Sequence, residues 1–283
     1  MRVTLLGGKH MGSYLLWQGT TEGGGSLVRS LADDVRSAVF APLDDGWGRS
    51  AAVARRLGGA IALGLISDGE QLPSEQELAT SLNVSTVTLR DALADLRDKG
   101  LVETRRGRGG GSFVRASSEA LACLHRERLA ELGVTDLREL GDVHSAVAGT
   151  GARLAAERAS DTEIARLRDL AVRIGTATDD AELRRIDGRY FIELAAASQS
   201  VRLTMKEIEL QGELAQLPRQ PNAHKLGPAR SRERQAVVTA IAGRQPALAR
   251  ELVEMALAEE TRQLIEEHID LTRRVAGEGG RHA

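Results

Sequence analysis

Between Leu72 and Val114 the chain has room for little besides two short helices, a tight turn and a hairpin, in that order. The first run is Leu72-Pro73-Ser74-Glu75-Gln76-Glu77-Leu78-Ala79, and the second is Asn83-Val84-Ser85-Thr86-Val87-Thr88-Leu89-Arg90-Asp91-Ala92-Leu93. A basic, glycine-rich stretch then runs from Gly100 to Val114. Ser74 is a good N-cap and Glu77 completes a capping box, so the spacing predicts a helix that starts after Pro73. Leu78, Ala79 and Leu82 give that helix an apolar face. Asn83 marks the turn, because asparagine tolerates the left-handed backbone such turns demand. Ser85 opens the second helix. At ~100° per residue, Leu89, Ala92, Leu93 and Leu96 fall on one side while Thr86, Val87 and Arg90 fall on the other. Gly100 is the expected C′ glycine. The alternation in Leu101–Arg105 and Ser112–Arg115 reads as two strands around a flexible tip. This order is the layout of a winged helix-turn-helix, whose second helix enters the DNA major groove with a β-wing beside it.

Each piece taken singly has an ordinary reading. Capping boxes are common, exposed Thr and Arg usually meet water, and glycine with arginine is commonly a solvated loop. Order and spacing carry the expectation, and composition bounds it. With Lys+Arg 38 against Asp+Glu 40, a uniformly basic nucleic-acid coat is excluded. Positive charge is instead local, with Arg105, Arg106 and Arg108 on the wing and Arg90 nearby. The single cysteine, Cys123, excludes a disulfide framework within the chain and fits a reducing cytoplasm; a lone helical Cys reads first as a small packed group. No apolar run approaches the length of a membrane span, and the start of the chain lacks a cleavable signal pattern, so a soluble protein is expected.

The stretch Ala51–Val114 resembles the GntR family of bacterial transcription regulators. That family's signature runs roughly L-P-S-E-R-E-L-A, then G-V-S-R-x-T-V-R-E-A-L, then G-L-V and a glycine-rich wing ending in F-V. The resemblance covers about a quarter of the chain, with helix, turn, recognition helix and wing in register. It implies DNA contacts from Gln76, Ser85, Thr86, Thr88, Arg90, Arg106 and Gly107; the local charge and the helix face add Val87, Arg105 and Arg108. Gln76 and Thr86 stand where arginine is usual, so the operator is expected to differ from the usual family site. Thr86 and Val87 can instead offer methyl groups to thymine.

The 283 residues suggest about two domains. Residues 1–48 read as a flexible extension, Gly/Thr-rich at first, with Met11 as another candidate start and a short amphipathic helix from Ser26 through Leu27, Leu31, Val35 and Val39. Residues 49–115 form the expected DNA-binding domain, whose first helix carries Val53, Leu57, Ile61 and Leu65. Ala116-Ser117-Ser118 reads as a linker. Beyond it, helical spacing of apolar residues recurs near 118–132, 135–159, 160–174, 179–199, 200–217, 228–243 and 245–275, which predicts an all-α antiparallel bundle over 116–276 and a short tail over 277–283. The fold expected is therefore mainly α, a winged helix-turn-helix followed by a helical bundle.

The bundle resembles the FCD effector domain of the family's FadR branch, through Leu154-Ala155-Ala156, Asp187 to Ser200 and Ala240-Ile241. Many FCD domains hold a metal with one aspartate and three histidines. At the matching places here stand Asp187, Phe191, Arg234 and Met255, so no closed metal site and no cofactor are expected. Asp187 is read as an ion-pair partner of Arg234. Asp187, Tyr190, Phe191, Arg234, Met255 and His144 are the candidate effector-pocket residues, with Arg234 a carboxylate anchor only if Asp187 leaves it free. His144 on its bundle helix reads more readily as a satisfied polar group.

The expected function is a sequence-specific regulator, a repressor by the wing's local charge, acting as a homodimer on a near-palindromic operator and answering to a small molecule. Two other classes compete. A winged helix can serve protein interaction alone, against which the wing arginines speak. An enzyme reading has only the isolated Asp187 and His144, and the glycines Gly107–Gly111 lie within a hairpin instead of opening a helix as phosphate-cradling loops do.

Overall fold

The structure, a computed structural model, describes residues 39–40, 49–218 and 223–279, with side chains as far as residue 273. The extension and the helix expected from Ser26 lie outside the described residues, apart from Val39, which is buried in the first core, and Phe40, which packs against it. The described helices are α1 (Arg49–Ala62), α2 (Glu75–Ser81), α3 (Thr86–Asp98), α4 (Ser118–Glu131), α5 (Val134–Arg158), α6 (Asp161–Ile174), α7 (Asp180–Ala197), α8 (Val201–Leu214), α9 (Gly227–Ala242) and α10 (Pro246–Gly279). Strands β1 (Val102–Arg105) and β2 (Gly111–Val114) pair antiparallel with Val102 opposite Val114.

Local chemistry places the helix-turn-helix. Ser74 caps α2, its hydroxyl accepting from the Glu77 N–H while Glu77 returns to the Ser74 N–H at 3.0 Å. Such caps contribute about 1 kcal/mol each. Asn83 turns the chain at φ 54 and Gly100 ends α3 at φ 72, both left-handed. Leu78, Leu82, Leu89, Leu93 and Leu96 close over Val53, Leu57 and Ile61 of α1, so the apolar face of each short helix is buried in one core. A feature that alternation did not announce is a third edge to the wing. Gln71 bridges Phe113, Leu72 N–H donates to Ser112 O, and Val114 N–H donates to Glu70 O. The wing is thereby tied to the segment that leads into α2.

The second core is built mainly from Ala, Leu, Ile and Val of α5, α6, α7, α9 and α10. The α5–α10 pair is the most extensive, and since Gly141 meets Thr261 while Gly149 meets Glu254, the two helices run antiparallel. A 3₁₀ turn, Ala223–Leu226, leads into α9 and was not expected.

The segment read as a linker is not a spacer. Ala116 N–H donates to Asp68 at 2.7 Å, and Ala120 and Leu124 of α4 enter the first core, whereas Leu129 belongs with Leu137 and Leu217 in a separate cluster. The end of α8 is the junction of the two parts. A Cβ on Gly59 of α1 would lie 2.2 Å from the Gly212 carbonyl oxygen, so the two backbones touch. Gln216 donates to the Arg55 carbonyl at 2.9 Å. From the bundle, buried Arg184 donates to the carbonyls of Ala215 and Leu217 at 3.0 and 2.6 Å, satisfying acceptors that a helix C-terminus leaves open. His125 of α4 meets the same Ala215 oxygen at 3.1 Å.

Candidate nucleic-acid interface and ligand cavity

On the outer side of α3, Thr86 and Val87 are exposed, Val87 by 64%. Ser85 is spent in part on the helix itself, its oxygen accepting from the Thr88 N–H at 3.0 Å and lying 2.8 Å from the Thr88 hydroxyl. Gln76 is exposed on α2 beside this face. Arg90 projects from the second turn with its side chain 65% exposed, and its Nε donates to Glu75 at 2.7 Å. On the wing, Arg105 is held by Glu103 at 2.7 Å and lies 4.2 Å over the Phe113 ring. Arg106, Gly107 and Arg108 stand exposed at the tip, where Gly110 N–H closes a turn onto Gly107 O and Gly107 takes φ 102. A solvated cation pair on a glycine hinge, next to a helix face of small side chains, is suited to a polyanion with a groove.

The bundle holds a partly open cavity of about 100 Å³ between α5, α7, α8, α9 and α10. Its walls include His144, Asp187, Phe191, Gln211, Arg230 and Glu260, set among leucines. At its base lies a knot of four charges. Arg234, fully buried, donates to Asp187 at 3.2 Å and to Glu260 at 2.6 Å, and its guanidinium stacks 4.6 Å from the Phe191 ring. Arg230 lies 3.0 Å from Glu260 and 3.6 Å from Asp187. Burial alone would lower the Arg234 pKa, but Asp187 and Glu260 outweigh it and hold the guanidinium charged. Tyr190, also fully buried, has its phenol pushed up by burial and donates to the Arg234 carbonyl at 3.3 Å.

Three candidates of the sequence therefore line the cavity, namely His144, Asp187 and Phe191, while Tyr190 and Arg234 support it from behind. Met255 does not take part: it does not line the cavity and the residue is 63% exposed. The residues of α10 that reach the cavity are Leu257, Glu260, Thr261, Gln263, Leu264 and Glu267, most of them in a stripe at helical spacing that the sequence does contain. Glu260, missed in the sequence, is the group that converges with Asp187 on Arg234. The conditional reading of Arg234 as a carboxylate anchor also falls, because Asp187 occupies it. A metal does not fit here, since a third cation beside Asp187 would face the two guanidinium groups already there; no cluster of three or more His, Cys, Asp or Glu able to hold one occurs among the described residues.

His144 is buried and lies 3.0 Å from Glu207, which is itself fully buried and also accepts from the Gln211 amide at 2.8 Å. Among the described residues, Glu207 Oε2 finds no hydrogen-bond partner. Gln211 lines the cavity and sits one residue before Gly212, so the cavity wall and the α1 contact belong to one turn of α8. Elsewhere on the molecule, Cys123 donates to Glu127 at 3.3 Å, and that hydrogen bond raises the thiol pKa, which disfavours the reactive thiolate. Among the described residues, no helix is long and apolar enough to cross a membrane.

Residues 49–111 match the family described as bacterial regulatory proteins, gntR family, and residues 139–270 match the FCD domain. The chain is 43% identical over 165 residues to a protein named as HTH-type transcriptional regulator RmpR of Mycobacterium gastri, covering 58% of this chain and 60% of that one. It is 30% identical over 145 residues to the HTH-type transcriptional regulator LutR of Bacillus subtilis, covering 50% of this chain and 64% of the relative. The matched region thus spans less than two thirds of either relative. Among solved structures, Streptococcus agalactiae GntR aligns over 75% of this chain and 99% of its own at 21% identity and a TM-score of 0.39.

Proposed function

Because the chain belongs to the GntR family of bacterial regulatory proteins and carries an FCD domain behind its winged helix, we propose that it is a ligand-responsive, sequence-specific transcription regulator. The observation that carries this reading is the exposed face of α3, with Thr86, Val87 and Arg90 on it and the Arg106–Arg108 tip beside it. Residues 49–115 read the operator and residues 116–276 receive the effector. The protein acts in the cytoplasm as a repressor, without cofactor or metal. It binds as a homodimer on a near-palindromic operator, since one winged domain reads too few base pairs alone. Sedimentation of the full chain should show the dimer at micromolar concentration. An enzyme reading finds less support than before, because Asp187 is tied to Arg234 and His144 to Glu207. The effector enters the cavity lined by His144, Gln211, Arg230 and Glu260. A carboxylate effector would have to meet Arg230, with Arg234 engaged.

Selection of duplexes from a random-sequence pool tests the DNA-binding reading. The full chain should enrich a two-fold-related consensus. Arg106→Ala with Arg108→Ala should weaken operator and random DNA together and lessen the log–log salt slope by about 2 per protomer, about 4 for the dimer, the loss of two phosphate contacts on each half-site. A chain that enriches no sequence at any salt concentration is not a sequence-specific regulator.

A further inference from the structure

The Arg90 guanidinium is not a free cation on the surface of α3. Its Nε donates to the carboxylate of Glu75, the first residue of α2, at 2.7 Å, across a sequence separation of 15. No other part of the helix-turn-helix joins the outer faces of α2 and α3 in this way among the contacts described. A guanidinium carries five N–H donors, one on Nε and four on the two Nη atoms. With Nε taken by Glu75, the end of the fork formed by the two Nη atoms is what remains to face outward. That end matches the adjacent O6 and N7 acceptors of guanine in the major groove.

We infer that Glu75 is a positioning residue for base readout, fixing Arg90 so that its two Nη atoms read a guanine in each half-site. The inference rests on the DNA-binding reading above. Two physical consequences follow from one carboxylate. It holds a long, otherwise mobile side chain in one orientation before DNA arrives, so less freedom is lost when the base contact forms. It also supplies a negative charge beside the guanidinium, which makes Arg90 a poorer partner for a phosphate and leaves the guanine edge as its better one. Without Glu75, Arg90 can swing to either neighbouring phosphate, a contact that carries no sequence information.

The test uses the full chain and the consensus recovered from the random pool. Glu75→Gln keeps size and polarity but removes the charge; Glu75→Asp keeps the charge on a shorter arm. Binding is measured by fluorescence anisotropy to the consensus, to duplexes with each guanine changed to adenine, and to a scrambled duplex. Thermal unfolding of each variant confirms that the domain is folded. Glu75→Gln is expected to cut guanine-over-adenine discrimination at one position per half-site at least fivefold while scrambled DNA binds as well or better, and Glu75→Asp should fall between. In an Arg90→Ala background, where discrimination at that position is already gone, Glu75→Gln should change nothing further. Discrimination within twofold of the parent in a folded Glu75→Gln variant overturns the inference. So does a Glu75→Gln effect that persists without Arg90, or a guanine preference that survives Arg90→Ala. Failure of the parent chain to enrich any sequence would instead remove the DNA-binding reading on which the inference stands.

Discussion

Arg234 shows how one residue decides what a cavity can hold. It is fully buried with a charge on it, a state that water would ordinarily oppose by several kcal/mol per ion, and Asp187, Glu260 and the Phe191 ring take over the role of solvent. Removing the cation takes the closer partner from buried Asp187 and half-buried Glu260 and leaves Arg230, at 3.6 and 3.0 Å, to face both carboxylates. Arg234→Gln is therefore expected to destabilise the bundle by about 3–5 kcal/mol, measured by urea unfolding. Adding Asp187→Asn should recover part of that loss. His125 gives a second prediction at this scale. Burial, with Arg184 adding to it, pulls its pKa down to about 3 from the ordinary 6.5. The folded protein thus binds fewer protons than the unfolded chain between those values, so stability is present above about pH 6.5 and is lost as the pH falls below it. From pH 6.5 to 5 the loss attributable to this ring is at most about 2 kcal/mol, less whatever solvent reaches its half-buried edge. Melting temperatures of the parent should fall more steeply over that range than those of His125→Gln.

At the scale of elements, the helices were legible because caps and periodicity agree. Ser160 with Glu163 starts α6, Pro228 stands in the first turn of α9, and Asn83 takes the left-handed turn its side chain tolerates. What stayed hidden depends on pairing in space. Nothing near Gln71 alternates, since its strand character is a single bridge to Phe113. Ala116-Ser117-Ser118 looks like a spacer by composition, yet the apolar positions just after it complete the first core. Met255 was placed in the pocket from one element of a motif within a long helix, where each step along the chain turns the side chain by ~100°; the cavity stripe of α10 begins two positions on, at Leu257, and its charged member is Glu260. The α1–α8 crossing was hidden as well, because a glycine in a helix announces neither which neighbour it admits nor how closely. It yields a paired prediction. Gly59→Ala drives a methyl into the Gly212 carbonyl and should cost about 1–3 kcal/mol or separate the helices. Gly212→Ala meets nothing within 4 Å and, by helix propensity, should be neutral or up to about 1 kcal/mol stabilising. Differential scanning calorimetry of the two variants distinguishes them.

At the scale of the whole molecule, the consequence lies in the short stretch from Gln211 to Leu217. One side of it is cavity wall, through Gln211, Leu214 and Leu217, and the other side is seated on the DNA-reading half, through Gly212 and Gln216. A stretch that touches both the cavity and the first helix of the DNA-reading half is placed to couple their binding free energies, and such a coupling acts equally in both directions. If a ligand found by thermal-shift screening loosens operator binding tenfold, the operator must loosen that ligand tenfold, about 1.4 kcal/mol either way. Calorimetric titration of the ligand into free and operator-bound protein should return that same factor. Gly59→Ala, by prising the stretch from its seat, should shrink the factor toward one while each partner still binds. In the parent protein, where the factor differs from one, the operator acts as a reader of the cavity, reporting its occupancy as faithfully as the cavity governs the operator.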